Sequence, residues 1–166
     1  MPGCSLSRRS ATAELPPGTS QRQPALSGNG RYLASVVDLQ GRPSVALQDL
    51  DQGRRVPLPL LRRHRPHSSP SLSWNGRYLA LITQQGRGRL ALVHDRRTRR
   101  LHPLRLPPAH EPVSLSLAPD AGSVALQTLH RGRFSVLLLD LSTLLEPDRP
   151  PGSRLGLPEG TAGTSP

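Results

Sequence analysis

The residues best equipped for chemistry in this 166-residue chain are its arginines. All 22 residues in the Lys and Arg class are Arg, and the net charge is +11. The excess is concentrated between Arg54 and Arg105, where 13 Arg meet a single acid, Asp95. Three clusters stand out: Arg54-Arg55, Arg62-Arg63-Arg65 and Arg96-Arg97-Arg99-Arg100. A guanidinium pairs with phosphate or carboxylate through two parallel hydrogen bonds, and a field of one sign steers polyanions towards it. These nine residues form a candidate anion-binding patch for anionic lipid, surface polysaccharide, an acidic protein or nucleic acid. Nucleic acid is the least favoured. Stacking platforms for single strands need exposed aromatics among the charges, and only Tyr32, Trp74, Tyr78 and Phe134 are aromatic. The competing reading is a solubilising rim. Exclusive use of Arg also fits a codon bias towards G and C.

Other chemistry finds little support. There is no Gly-x-Ser-x-Gly elbow, and no spacing of Ser, His and Asp proposes a triad, so no catalysis is expected. His64 and His67 are three apart, but Arg62, Arg63 and Arg65 would repel a cation and no Cys or carboxylate completes a site. No metal and no cofactor is expected. Cys4 is the single cysteine, which excludes an internal disulfide. No apolar stretch approaches the length of a membrane-spanning helix. Residues 1–4, Met-Pro-Gly-Cys, resemble the end of a bacterial lipoprotein cleavage site without its apolar segment; a chance Gly-Cys is the alternative.

The elements that would position these residues come from a repeat. Asn29-Gly30-Arg31-Tyr32-Leu33-Ala34 returns unchanged as Asn75-Gly76-Arg77-Tyr78-Leu79-Ala80, at an offset of 46. A third copy, Asp120-Ala121-Gly122-Ser123-Val124-Ala125, follows at an offset of 45. The register continues: Val45-Ala46-Leu47 matches Leu90-Ala91-Leu92 and Ser135-Val136-Leu137, and Asp95 matches Asp140. Each copy predicts four short strands. The first two are joined at Asn-Gly, where both residues tolerate positive φ. Asp120-Ala121 predicts a different turn type in copy three. The predicted fourth strands, 55–58, 100–104 and 154–157, are suited to a sheet edge, and proline within the first two restricts them to one. Leu79-Ala80-Leu81-Ile82 and Leu137-Leu138-Leu139 are continuous apolar runs, which predict strands covered on both faces.

The fold expected is all-β: three four-stranded antiparallel β-meander blades forming half of a β-propeller. Residues 1–22 are read as a disordered arm, 23–60 as blade 1, 61–69 as a basic linker, 70–106 as blade 2, 107–158 as blade 3 and 159–166 as a disordered tail. Closed propellers have about 4–8 blades. Three blades therefore predict either a homodimer that closes a six-bladed ring or an open wedge capped by the arms.

The pattern Ser-x-Asn-Gly-Arg-Tyr-Leu-Ala, followed by Val-Ala-Leu-x-Asp-Leu and a closing Arg-x-x-Leu-Pro, resembles the blade repeat of TolB-type β-propellers over residues 24–158. That family's turn is Ser-Pro-Asp-Gly; here it reads Ser27-Gly28-Asn29-Gly30, Ser73-Trp74-Asn75-Gly76 and Ala118-Pro119-Asp120-Ala121. The resemblance implies a non-catalytic protein of the bacterial periplasm or envelope that acts through protein contacts. It leaves the partner unnamed. The family's full members have six blades and a further N-terminal domain.

Overall fold

The computed structural model describes residues 15, 18–63, 66–150 and 152. Its strands are β1 Gln21–Leu26, β2 Tyr32–Leu39, β3 Arg42–Asp49, β4 Arg54–Val56, β5 His67–Leu72, β6 Tyr78–Gln85, β7 Gly88–Asp95, β8 Arg100–Pro103, β9 Glu111–Leu117, β10 Ser123–His130 and β11 Arg133–Asp140. They form three antiparallel meanders, β1-β2-β3-β4, β5-β6-β7-β8 and β9-β10-β11. The sheets are blades 1, 2 and 3. The first strands β1, β5 and β9 run side by side at the inner edge of the stack, and the short fourth strands β4 and β8 lie outermost. Blade 3 has three strands among the described residues; the fourth predicted at 154–157 lies outside them.

The expected elements are present, with shifted bounds. The first strand of blade 2 begins at His67, inside the segment expected to be a linker, and a 3-10 turn over Pro59–Arg63 sinks Leu61 into the core. The expected arm is ordered in part: Gln21 and Arg22 belong to β1, and Leu15 is buried against Val37 and Ala46. The Asn-Gly hairpins also differ from expectation. Only the glycines take positive φ, 72° at Gly30 and 66° at Gly76, and their N–H groups donate back to Ser27 O and Ser73 O. This is a longer loop in which a turn is followed by a left-handed residue. Copy three uses the same loop, not a different one. Ala121 takes φ 62° and donates to Ala118 O (2.9 Å). The methyl group costs about 1 kcal/mol in that region, offset by burial of Ala121 in the core between blades 2 and 3.

Burial follows the strand alternation. Ala34, Val36, Val45 and Leu47 of blade 1 meet Leu72, Leu79, Leu81 and Leu92 of blade 2. The other face of blade 2, with Tyr78, Ala80, Ile82, Ala91 and Val93, meets Leu117, Val124 and Leu126 of blade 3. The run Leu79-Ala80-Leu81-Ile82 is thus covered on both faces. The run Leu137-Leu138-Leu139 is not. Leu139 packs inwards, whereas Leu138 is 74% exposed on the outward face, beside Phe134 (65%) and Val136 (73%). A terminal blade keeps the sequence of a sandwiched one without the neighbour.

Leu81 and Leu138 therefore make opposite predictions. Leu81→Ala should cost about 2–5 kcal/mol of stability. Leu138→Ala should change it by less than about 0.5 kcal/mol in the monomer. Urea denaturation followed by circular dichroism measures both.

Candidate functional site

The repeated motif builds ties, not a reactive centre. In blade 1, Ser27 Oγ accepts from the Tyr32 N–H (2.9 Å) and donates to Asn29 Oδ1 (2.7 Å). Ser73 Oγ accepts from the Tyr78 N–H in the same way (3.0 Å). Each turn then reaches the next blade: Asn29 N–H donates to Trp74 O (3.0 Å), and Trp74 N–H donates to Pro119 O (2.7 Å). A Cβ on Gly28 would run into the Trp74 indole, and one on Gly76 would lie 2.6 Å from Tyr32 Cδ2. These contacts, not turn geometry alone, explain the glycine at position 28.

The conserved spacing of Arg and Asp in the repeat is an ion pair across β2–β3 or β6–β7. Arg31 holds Asp49 at 2.8 Å, and Arg77 holds Asp95 at 2.9 Å and Glu146 at 2.7 Å. Burial alone would raise the Asp95 carboxyl. The hydrogen bonds from Arg77, Thr98 and the Arg97 N–H outweigh it and bring the group down to about 2. His94 has the opposite fate. Burial, then the Arg96 charge, pushes its imidazole down to about 4, and its Nδ1 has no hydrogen-bond partner.

The predicted arginine patch is not one surface. Arg96 lies over the Tyr32 ring at 4.4 Å and donates to Gly76 O, and Arg97 pairs with Glu146. Both tie blades together at the end of the stack that carries the Asn-Gly turns. Arg54, Arg99 and Arg100 are exposed at that same end, and Arg54 donates to Gln52. Arg55 is half-buried and lines a cleft of about 560 Å³ with Arg62. Arg62 and Arg63 lie exposed on the 3-10 turn, at the opposite end. Arg65 and His64 lie outside the described residues. His67 is a core group: its Nδ1 accepts from the Val45 N–H (2.9 Å), so Nε2 carries the proton and donates to Leu61 O (3.0 Å). Among the described residues no cluster of three His, Cys, Asp or Glu could hold a metal.

Sequence reasoning missed the segment after β11. Here Leu145 is buried between blades 2 and 3, and the Tyr78 hydroxyl accepts from the Glu146 N–H (3.1 Å). The Asp148 carboxylate accepts from Ser73 Oγ, from Asn75 N–H (2.9 Å) and from Asn75 Nδ2 (3.0 Å). The only signal in the sequence was length: blades 1 and 2 have short links at this position. The Ser73 hydroxyl, fully buried and occupied on both sides, is not presented to a substrate.

The open face of blade 3 is also informative in register. Ala34 opposite Leu47 and Val36 opposite Val45 form the face by which blade 1 meets blade 2. Ala80 opposite Val93 and Ile82 opposite Ala91 form the face by which blade 2 meets blade 3. Ala125 opposite Leu138 and Gln127 opposite Val136 occupy the same positions in blade 3, and there no described residue covers Leu138 or Val136.

No protein family and no curated protein matches the sequence. Solved structures do match. TolB from Acinetobacter baumannii is 16% identical, with a TM-score of 0.56 over 73% of this chain and 30% of that one. The β-propeller domain of the Trilobed protease from Pyrococcus furiosus, which has an open velcro topology, is 14% identical with a TM-score of 0.59, over 79% and 42%. A chain of a nidogen/laminin complex is 13% identical with a TM-score of 0.58, over 76% and 46%. The chain spans less than half the length of each.

Two measurements probe the ties. Arg77→Ala leaves the Asp95 carboxylate buried without its partner and should cost about 3 kcal/mol, read by urea denaturation. For His94, the folded-state value lies below the ordinary 6.5. Its contribution is complete above about pH 6.5 and is lost as pH falls towards 4, on the order of 3 kcal/mol. His94→Leu should flatten the melting temperature across that window. The similar structures, the three meanders and the side-by-side first strands establish a TolB-like β-propeller fold whose ring is not closed.

Proposed function

We propose that this chain is a non-catalytic propeller module of the bacterial envelope that works by protein–protein contact, and that one partner is a second copy that completes six blades. The observation that carries the reading is the register of the open face. The positions filled by Ala125, Val136 and Leu138 are those that blades 1 and 2 use to receive the next blade. The shape that fits such a face is the leading face of a blade, and in a second copy that is the outer face of blade 1. Contacts of this head-to-tail kind form closed rings when the rotation closes. Two copies of three blades fall within the size range of closed propellers. Ring closure would move Leu15 off Val37 and Ala46, where it sits as a cap.

The structural matches bear on the contact role. A similar propeller belongs to a nidogen/laminin complex. Another is the β-propeller domain of a protease. The envelope assignment rests on similarity to TolB. Polyanion contact through the predicted patch would fall to Arg54, Arg62, Arg63, Arg99 and Arg100, since Arg96 and Arg97 serve the blade ties.

Native mass spectrometry tests the proposal. The expected species has twice the 18.0 kDa chain mass. Leu138→Glu should return it to the monomer with an unchanged circular dichroism spectrum, because Leu138 is exposed in the single chain. A monomer for the parent chain at micromolar concentration, or a dimer that survives the substitution, overturns the ring.

A further inference from the structure

The two ends of the stack differ in charge. At the turn end, Asp49, Asp95 and Glu146 answer Arg31, Arg77 and Arg97, and Asp51, Asp120, Asp140 and Asp148 offset Arg54, Arg96, Arg99 and Arg100. The opposite end carries the β2–β3, β6–β7 and β10–β11 hairpins. There Arg42, Arg62, Arg63, Arg87, Arg89, Arg131 and Arg133 accompany Asp38 and Glu111, and Glu111 is taken by Arg89 at 3.5 Å. The positive end is therefore not the one where most of the arginine clusters lie in sequence.

Within that end, blade 3 forms a distinct cleft. The turn Arg131-Gly132 has φ of 48° and 75°, a two-residue hairpin that sets His130 directly opposite Arg133. His110, from the link before β9, stacks on His130 with centroids 4.3 Å apart and planes at 16°. Its Nδ1 faces Pro108 O at 3.1 Å; a carbonyl only accepts, so the proton sits on Nδ1. His110, His130, Arg131, Arg133 and Ser135 line about 600 Å³, and none of them is acidic. Two parallel imidazoles cannot converge their lone pairs on one cation, and two guanidiniums repel it. The same groups suit an oxyanion. Two forks offer paired N–H donors, and the His130 ring can add an N–H donor.

We propose that this cleft binds a multivalent oxyanion of the condensed-phosphate class. Arg131 and Arg133 provide the clamp, and the stacked His110–His130 pair provides a second contact. The site stands apart from the ring-closing contact and does not depend on it. Arg131 and Arg133 line the cleft with the pair, and Glu111, which follows His110 in the chain, is held by Arg89 on β7.

Isothermal titration with tripolyphosphate at low salt tests it on the full chain. Arg131→Gln with Arg133→Gln should weaken binding about tenfold or more, the loss of charge-assisted hydrogen bonds. His110→Gln with His130→Gln should weaken binding about threefold, the loss of one hydrogen-bond contact. Arg99→Gln with Arg100→Gln, at the other end, should leave binding intact. Circular dichroism confirms that each variant is folded. Absence of binding to the parent chain, an equal loss in the Arg99/Arg100 variant, or full affinity in either cleft variant would each overturn the site.

Discussion

The structure depends on lateral stacking of sheets that cannot stand alone. A four-stranded meander with apolar residues on both faces has no stable existence in water, because each face exposes Leu, Val and Ala that only another sheet can cover. Blade 2 satisfies this requirement fully: Leu79 and Leu81 go one way, Ala80 and Ile82 the other. The blades at the two ends satisfy it by half, and they manage the remainder differently. Blade 1 places Leu15 on its outer face. Blade 3 leaves Phe134, Val136 and Leu138 to solvent. Among the described residues, one end of the stack is thus capped and the other bare.

A second layer of organisation comes from the turns. Packing between flat apolar faces is tolerant of sliding, so something must fix the rotation of each blade. Hydrogen bonds between adjacent turns do this, from Asn29 to Trp74 and from Trp74 to Pro119. Side chains of the inner strands add to them: Ser69 N–H donates to Gln23 Oε1, and Leu115 N–H donates to Ser69 Oγ, each bond spanning one repeat. Between the second and third turns, the Asp148 carboxylate receives the groups of Ser73 and Asn75, and its N–H donates to Asp120 O (2.9 Å). The chain after β11 thus ties the last two turns of the row together.

The repeat made the architecture legible because its period is imposed by geometry. Strand, turn and strand must return at the same interval for the inner strands to align, and Tyr32 and Tyr78 are visible markers of that interval. Residue type was less informative about environment. Leu137-Leu138-Leu139 read as a sandwiched strand, since the residues carry the signature of the repeat whether or not a neighbour is present. The arginine clusters read as one patch because they are close in sequence. The meander sends Arg62 and Arg96 to opposite ends and uses Arg96 and Arg97 as ties. The His110–His130 stack joins residues 20 apart across a link and a hairpin, and no local pattern announces such a meeting.

Leu15 carries a consequence of a different kind. It is joined to β1 by a short piece of chain, and a group held on a short tether samples its site at an effective concentration on the order of millimolar. A free molecule seeking the same face of blade 1 has to displace that residue, and one buried leucine side chain contributes only about 1.5–3 kcal/mol. A broad sheet brings many such side chains and recovers more than the leucine gives up.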